Sequence, residues 1–434
     1  MQYLTRFTDF TVYFVFLLLL LTASTLYAAN DEKTFAEAGK YTVKIRTQIN
    51  YPFYQDGKGS SIGTGFLISR EKGLILTNAH VVGRSKSKIK VMFKNEDYFS
   101  AKKMYVDPVL DLAIIKYPVK HIPKEAKEAK LKCDTSTVSG LTVGAFGHPW
   151  NLSFTATRGI ISGQPYLGYA DWIQTDAPIN SGNSGGPLIS LNSGKVVGIS
   201  SAMLSKGETE GLNFALPIEY ACKVIDLFNA GKDPSPMDIG VSFYERKGLK
   251  PLKVAKVINS KLSALKSGDV IQGVDGKKMK MMNPFHLMHA LRGRSGKVML
   301  NILRDDKEQD VSLTITPLPN ILNQKGIYFS GMIVTPNRLM DKTNSSLSDA
   351  WIVNFVDSGS TAEIERVAGW DMLLKLDNKP LGSFDDVYKY IKNKQVSGED
   401  ITLMVRRSSD GMRKNYDYYE FSFAVEDEKI IAIQ

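Results

Sequence analysis

The chain has 434 residues, 43% of them hydrophobic and 23% charged, with a formal net charge of +10. That length exceeds one ordinary core and suggests about three domains, and the composition is that of a folded soluble protein without long low-complexity tracts. The basic balance suits nucleic acid, an anionic membrane or acidic substrates, but no basic-aromatic RNA motif or helix-turn-helix signature accompanies it, so no nucleic acid is expected as a partner.

Residues 1–29 begin with a short segment carrying Arg6, continue through the apolar run 15–21, and end on Ala28 and Ala29. A charged start, a hydrophobic middle and a small-residue exit are the layout of a signal peptide, with cleavage expected after Ala28 or Ala29. The alternative is an uncleaved inner-membrane anchor, because residues 11–29 approach the length that spans a bilayer. Either way the body of the protein is expected outside the cytoplasm, periplasmic or secreted, with membrane association only through that segment.

Two cysteines, Cys133 and Cys222, fit neither a zinc site nor a redox pair. Their spacing favours two buried thiols, with a bridge as the alternative in an exported chain. The five histidines, His80, His121, His148, His286 and His289, lack acidic or cysteine neighbours at ligand spacing, so neither a metal nor another cofactor is expected. His286 and His289 read as surface or boundary residues on a helix.

From residue 41 the pattern is strand-like. Residues 41–46 and 88–93 alternate, and residues 63–69 and 73–82 form two apolar strands joined by Arg70-Glu71-Lys72. His80 stands at the exit of the second. Asp111 precedes the apolar run 112–115, where a carboxylate is expensive unless paired. Asp107, before a proline, reads as turn punctuation. Further strands are expected at 141–147, 154–162, 171–176 and 211–217, with a hairpin of 187–190 and 196–202 around Gly194. Ser184 lies between glycines in Gly182-Asn183-Ser184-Gly185-Gly186. A serine there is a nucleophile only beside a base, while flanking glycines leave backbone N–H groups able to meet an oxyanion. Many short strands with glycine turns indicate a sandwich or barrel.

The motifs Thr77-Asn78-Ala79-His80, Asp111-Leu112-Ala113 and Gly182-Asn183-Ser184-Gly185-Gly186-Pro187-Leu188, in this order, resemble the trypsin-like serine proteases. Gly63-Thr64-Gly65-Phe66, Gln174-Thr175-Asp176-Ala177 and Asn213-Phe214-Ala215-Leu216-Pro217 resemble their HtrA (Deg) branch. The resemblance covers roughly residues 40–230 and implies a double β-barrel protease domain, placed here at 38–232. It implies His80 as general base, Asp111 as the carboxylate orienting it, and Ser184 as the nucleophile forming an acyl-enzyme. The oxyanion hole falls on the backbone of Gly182, Asn183 and Ser184, with Asn183 shaping the turn between two donors. Asparagine at 183 cannot make the ion pair by which zymogen cleavage activates digestive relatives. The specificity pocket falls at Pro178, Ile179, Ile199, Ser200, Ser201 and Ala202. With no carboxylate among them, small or medium aliphatic P1 residues are expected. The loop at 52–61 is too short for a long regulatory insertion.

Residues 218–231 read as a helix stopped by Gly231. An internal repeat follows. Residues 267–276 echo 369–378, residues 298–304 echo 401–407, and a helical segment lies between each pair. The units, placed at 237–318 and 325–426, resemble PDZ domains of α+β type, which bind extended C-termini by strand addition. Their carboxylate-binding turns fall at Ile239, Gly240, Val241 and at Ser330, Gly331, Met332. The first unit is about three residues short where a helix is usual. Residues 234–320 hold 15 Lys and Arg against 8 Asp and Glu. That surplus reads as a solvated face, or as an attraction for acidic clients or an anionic surface.

The resulting expectation is a mainly β, ATP-independent serine endopeptidase of extracytoplasmic protein quality control. It cleaves misfolded or exposed polypeptides and assembles as a homotrimer or larger homo-oligomer. The alternatives are a binding protein or chaperone with a latent triad, and a signalling protease with one dedicated substrate.

Overall fold

The computed structural model describes residues 31–433, apart from 54–55, 108, 135–137, 168–169, 202–211, 245–251, 261–263, 280–283, 337–349 and 410–415. The expected leader at 1–29 and the pocket residue Ala202 lie outside the described residues. Among those described, no helix is long and apolar enough to cross a membrane.

Two closed antiparallel barrels form the first half. In the first, the hydrogen-bonded order is Thr42–Tyr51, Gly59–Ser69, Leu74–Asn78, Leu112–Lys116, Phe99–Asp107 and Lys86–Met92. Inward residues such as Val43, Ile45, Ile75 and Ile114 are fully buried. The second barrel runs Ile173–Thr175, Asn213–Pro217, Val196–Ser201, Pro187–Ser190, Thr142–Gly147 and Thr155–Gly163. Closing a sheet removes the unpaired edges that an open one leaves. The strand expected to run through Val82 stops at Asn78, and Ala79–Val82 is a short helix that carries His80.

The helix Ile218–Asn229 packs Ile218, Ala221, Val224 and Ile225 into the core. The expectation of two free thiols is overturned. Cys133, in the segment between the barrels, is bridged to Cys222 on this helix with Cα atoms 5.8 Å apart. The bridge was not foreseeable from a spacing of 89 residues, because only the barrel closure brings the two together.

Two β-rich units follow, and the repeat extends into their ion pairs. In the first, Arg304 donates through Nε and Nη2 to the two oxygens of Asp269, both at 2.7 Å. In the second, Arg407 makes the same fork to Asp371, both at 2.6 Å. Asp269 and Asp371 are nearly inaccessible, and such bidentate pairing is what makes a buried carboxylate tolerable. The second unit has the short helix Thr361–Ile364, and the first has none at the corresponding described positions. Its longer helix, Phe384–Ser397, is set by a capping box of Ser383 and Asp386.

Both units pack on the barrels. The first is held through the helix Pro284–Leu291, where His286 Nε2 lies 2.5 Å from Asp171 Oδ2. His286 and His289 are therefore boundary residues, with His289 stacked on Phe285 and edge to face with Tyr220. The second unit covers the loop after Tyr51. Tyr51 meets Tyr328 edge to face at 5.4 Å, Lys58 pairs with Asp357, and Phe53 shares an apolar cluster with Ile431 and Ile433.

Candidate active site

The site forms where the barrels meet. His80 Nδ1 lies 2.5 Å from Asp111 Oδ2, and the His80 backbone N–H donates to Asp111 Oδ1 at 2.9 Å. Arg84 Nη2 also donates to Asp111 Oδ1, at 3.2 Å. Asp111 is 1% exposed. Burial pushes its carboxyl up, but His80 and Arg84 outweigh that and hold it below its usual value. Its carbonyl accepts from Asn78 Nδ2 at 2.9 Å and from the Ala79 N–H at 3.0 Å.

The turn bearing Ser184 is locked against the same elements. The Thr64 N–H donates to the Ser184 carbonyl at 2.9 Å, and Thr77 Oγ1 donates to the Thr64 carbonyl at 2.6 Å. Gly182 and Gly185 have φ of +103° and +83°. A Cβ on Gly185 would stand 2.2 Å from the Thr64 carbonyl and 3.0 Å from the Asn78 nitrogen, and one on Gly182 would stand 2.2 Å from the His148 carbonyl. Glycine at both places is thus required by backbone angle and by space.

One element of the expected oxyanion hole is corrected. The Asn183 N–H donates to the Asn180 carbonyl at 2.9 Å, so it closes the turn and is not a donor to a ligand. Gly182 and Ser184 keep their places on either side. Among the pocket residues, Ile179 lies in the second barrel's apolar cluster and Ile199 in the main one, so they form core and not an open wall. Pro178 is exposed. Ser200 and Ser201 are buried on the strand beside the Ser184 turn, where the Gly185 N–H donates to the Ser200 carbonyl at 2.9 Å.

Sequence reasoning passed over Thr64 and His148. Thr64 Oγ1 donates to the Gly182 carbonyl at 2.7 Å and lies 3.0 Å from His148 Nδ1. With its hydroxyl proton committed, Thr64 must accept there, so His148 Nδ1 carries a proton. Burial, with help from the charge of Lys44, pulls the His148 pKa down to about 3. The sign follows directly. Above the unfolded value near 6.5 the ring is neutral in both states and contributes nothing; below it only the unfolded chain takes up the proton. Stability should therefore fall as pH drops from about 6.5 towards 3, at about 1.4 kcal/mol per pH unit. Thermal melts at pH 6.5 and pH 5 should show that loss; His289, which burial also holds down to about 3, adds a like slope, so His148→Asn should remove about half of the dependence. An unchanged slope in the variant would refute the assignment.

The two turns expected to bind a carboxylate differ. Gly240 has φ of +70° and leads into Val241–Phe243, which is the end strand of its sheet. The turn at Ser330 and Gly331 is instead the tight end of a hairpin, with Phe329 paired to Met332. The Ser330 N–H donates to the Glu426 carbonyl, and the carbonyls of Ser330 and Gly331 accept from Ala362 and Asp357. Met332–Pro336 has a strand on each side. The expectation at Ser330, Gly331 and Met332 is therefore corrected: no open strand edge is left there for a peptide.

Comparison with known proteins agrees with this geometry. A family model described as a trypsin-like peptidase domain matches residues 63–199. The chain is 33% identical over 375 residues to a probable periplasmic serine endoprotease, DegP-like, of Pseudomonas fluorescens, covering 78% of this chain and 76% of the relative. It is 29% identical over 367 residues to a protein of the same description from Chlamydia trachomatis, covering 79% and 72%. Among solved structures, a serine endoprotease from Yersinia pestis is similar with a TM-score of 0.51 and 28% identity, over 67% of this chain and 98% of that one. The HtrA-type protease AlgW with a tripeptide gives 0.53 and 26%, over 66% and 97%.

Proposed function

Since the chain belongs to the DegP-like, HtrA-type serine endoproteases, we propose that His80, Asp111 and Ser184 are its catalytic triad and that its substrates are unfolded or exposed polypeptides outside the cytoplasm. The observation that carries the reading is the pairing of His80 with the buried Asp111, beside the glycine-locked turn of Ser184. His80 Nε2 takes the Ser184 proton as Oγ attacks the scissile carbonyl, then returns it to the leaving amine. Asp111 holds the other ring nitrogen and stabilises the imidazolium. The backbone N–H groups of Gly182 and Ser184 receive the oxyanion.

A periplasmic location fits the bridge between Cys133 and Cys222, because disulfides persist in oxidising compartments. Residues 38–232 act as the protease domain, and residues 237–318 and 325–426 as PDZ-like units. The first unit takes an extended peptide beside Val241–Phe243, the second serves packing, and protomers assemble through their barrels. The pocket beside Ser200 and Ser201 accepts small or medium aliphatic P1 residues.

A fluorophosphonate probe, followed by mass mapping, tests the reading. Labelling is expected at Ser184, absent in Ser184→Ala, and faster when a peptide with a free carboxylate is added. Ser242→Pro, which blocks the end strand, should remove that acceleration. Failure of the wild-type protein to label even with unfolded casein present would sink the nucleophile assignment.

A further inference from the structure

Arg292 follows the helix Pro284–Leu291 of the first C-terminal unit, and its side chain is 1% exposed. Its partner Asp107 ends the strand Phe99–Asp107 of the first barrel and is 0% exposed. A guanidinium taken this far from water is costly unless its N–H groups find acceptors. Nη1 donates to Asp107 Oδ2 at 2.6 Å and to the Pro234 carbonyl at 2.5 Å, with the Tyr105 hydroxyl at 3.4 Å. Tyr105 donates to the same carboxylate oxygen at 2.7 Å.

The other oxygen of Asp107 holds the backbone that leads to Asp111. Asp107 Oδ1 accepts the N–H of Val109 at 2.9 Å and of Leu110 at 2.8 Å. The next residue is Asp111, whose φ is +52°. For a residue with a Cβ that left-handed angle is unfavourable and persists only where neighbours over-determine it. On its C-terminal side Asn78 and Ala79 hold the Asp111 carbonyl. On its N-terminal side the hold is Asp107, and Asp107 is itself fixed from another unit by Arg292.

We propose that Arg292 is a positioning residue for the triad. Through Asp107 it fixes the turn that presents Asp111 to His80, so that docking of the first C-terminal unit and alignment of the catalytic carboxylate are one event. The proposal rests on the triad assignment above. Two further contacts seat the same helix. Lys223 donates to the carbonyls of His289 at 2.5 Å and Ala290 at 3.2 Å, and His286 meets Asp171. Neither touches the 107–111 turn, so they hold the unit without orienting Asp111.

The test uses the full chain, a fluorogenic peptide, and temperatures well below each variant's melting point. Arg292→Met is expected to lower kcat on the order of 10- to 100-fold, the usual result of a slightly misplaced catalytic group, with KM unchanged. Asp107→Asn keeps the acceptor for Val109 and Leu110 but loses the charge. It should lower kcat by a similar factor, and the double variant should be no worse than either single one, because the two residues act as a unit. Arg292→Lys should restore most of the activity, since one nitrogen of Arg292 makes all three contacts. In proton NMR, the low-field signal of the His80 Nδ1 proton should shift or broaden in Arg292→Met and stay in place in Lys223→Ala. A folded Arg292→Met with wild-type kcat, or losses that multiply in the double variant, would overturn the proposal. If Arg292→Met does not fold, Asp107→Asn and Arg292→Lys carry the same comparison. Fluorophosphonate labelling of wild-type Ser184 separates this outcome from failure of the triad itself.

Discussion

Asp111→Asn is expected to lower kcat about 10⁴-fold while leaving KM near its wild-type value. The cause is a proton, not a lost contact. Asp111 Oδ1 receives the His80 backbone N–H and Arg84, and Oδ2 faces His80 Nδ1. Asparagine has one oxygen to offer, and two donors claim it at the Oδ1 position. Its NH₂ group must then face Nδ1, which has to accept. The ring proton moves to Nε2, the nitrogen that should receive the Ser184 proton. Because Asp111 is 1% exposed, it does not touch substrate, and the effect should fall on kcat alone. Single-turnover acylation measured across pH checks this, and a loss smaller than about tenfold would refute the orienting role.

The second large effect concerns stability. Cys133 and Cys222 close a loop of 89 residues, and loss of a bridge of that span is expected to destabilise the chain by about 2–5 kcal/mol. The bridge ties the segment between the barrels to the helix Ile218–Asn229, which also carries Tyr220 and Lys223 beneath the first C-terminal unit. Cys133→Ser combined with Cys222→Ser should therefore lower the denaturant midpoint, with the helix and that unit loosening first in hydrogen exchange. An unchanged midpoint would mean that barrel packing alone fixes the helix.

Much of this architecture was legible in the order of residues. Alternation and glycine turns marked most barrel strands, and three motifs placed His80, Asp111 and Ser184 in one reading. The strand Phe99–Asp107 escaped because its inward face includes Lys103. That lysine is buried with its ammonium on the Ser85 carbonyl, and burial lowers its pKa to about 8. A charged residue on the core face erases the signal that alternation supplies. Asp107 reads as turn punctuation, and it does cap the Val109 and Leu110 N–H groups; its second role is hidden because its partner Arg292 lies 185 residues away on another unit. Such pairings depend on how units dock, which no local pattern encodes. The Asn183 amide and the hairpin at Ser330 failed for a related reason: a motif names the residues of a turn, but not which of its N–H groups are already engaged.

The apolar seam under the loop after Tyr51 bears on the order in which the chain can mature. Phe53 shares its cluster with Ile321, Leu322, Ile431 and Ile433. The strand Lys429–Ala432 pairs with Lys325–Phe329, and Gly326 of that strand lies against Phe53. A chain threaded amino end first exposes Phe53 long before residues 429–433 exist. Contacts between such distant segments form late and slowly. Until the strand Lys429–Ala432 of the second C-terminal unit is made and docked, Phe53 therefore lacks part of its apolar cover.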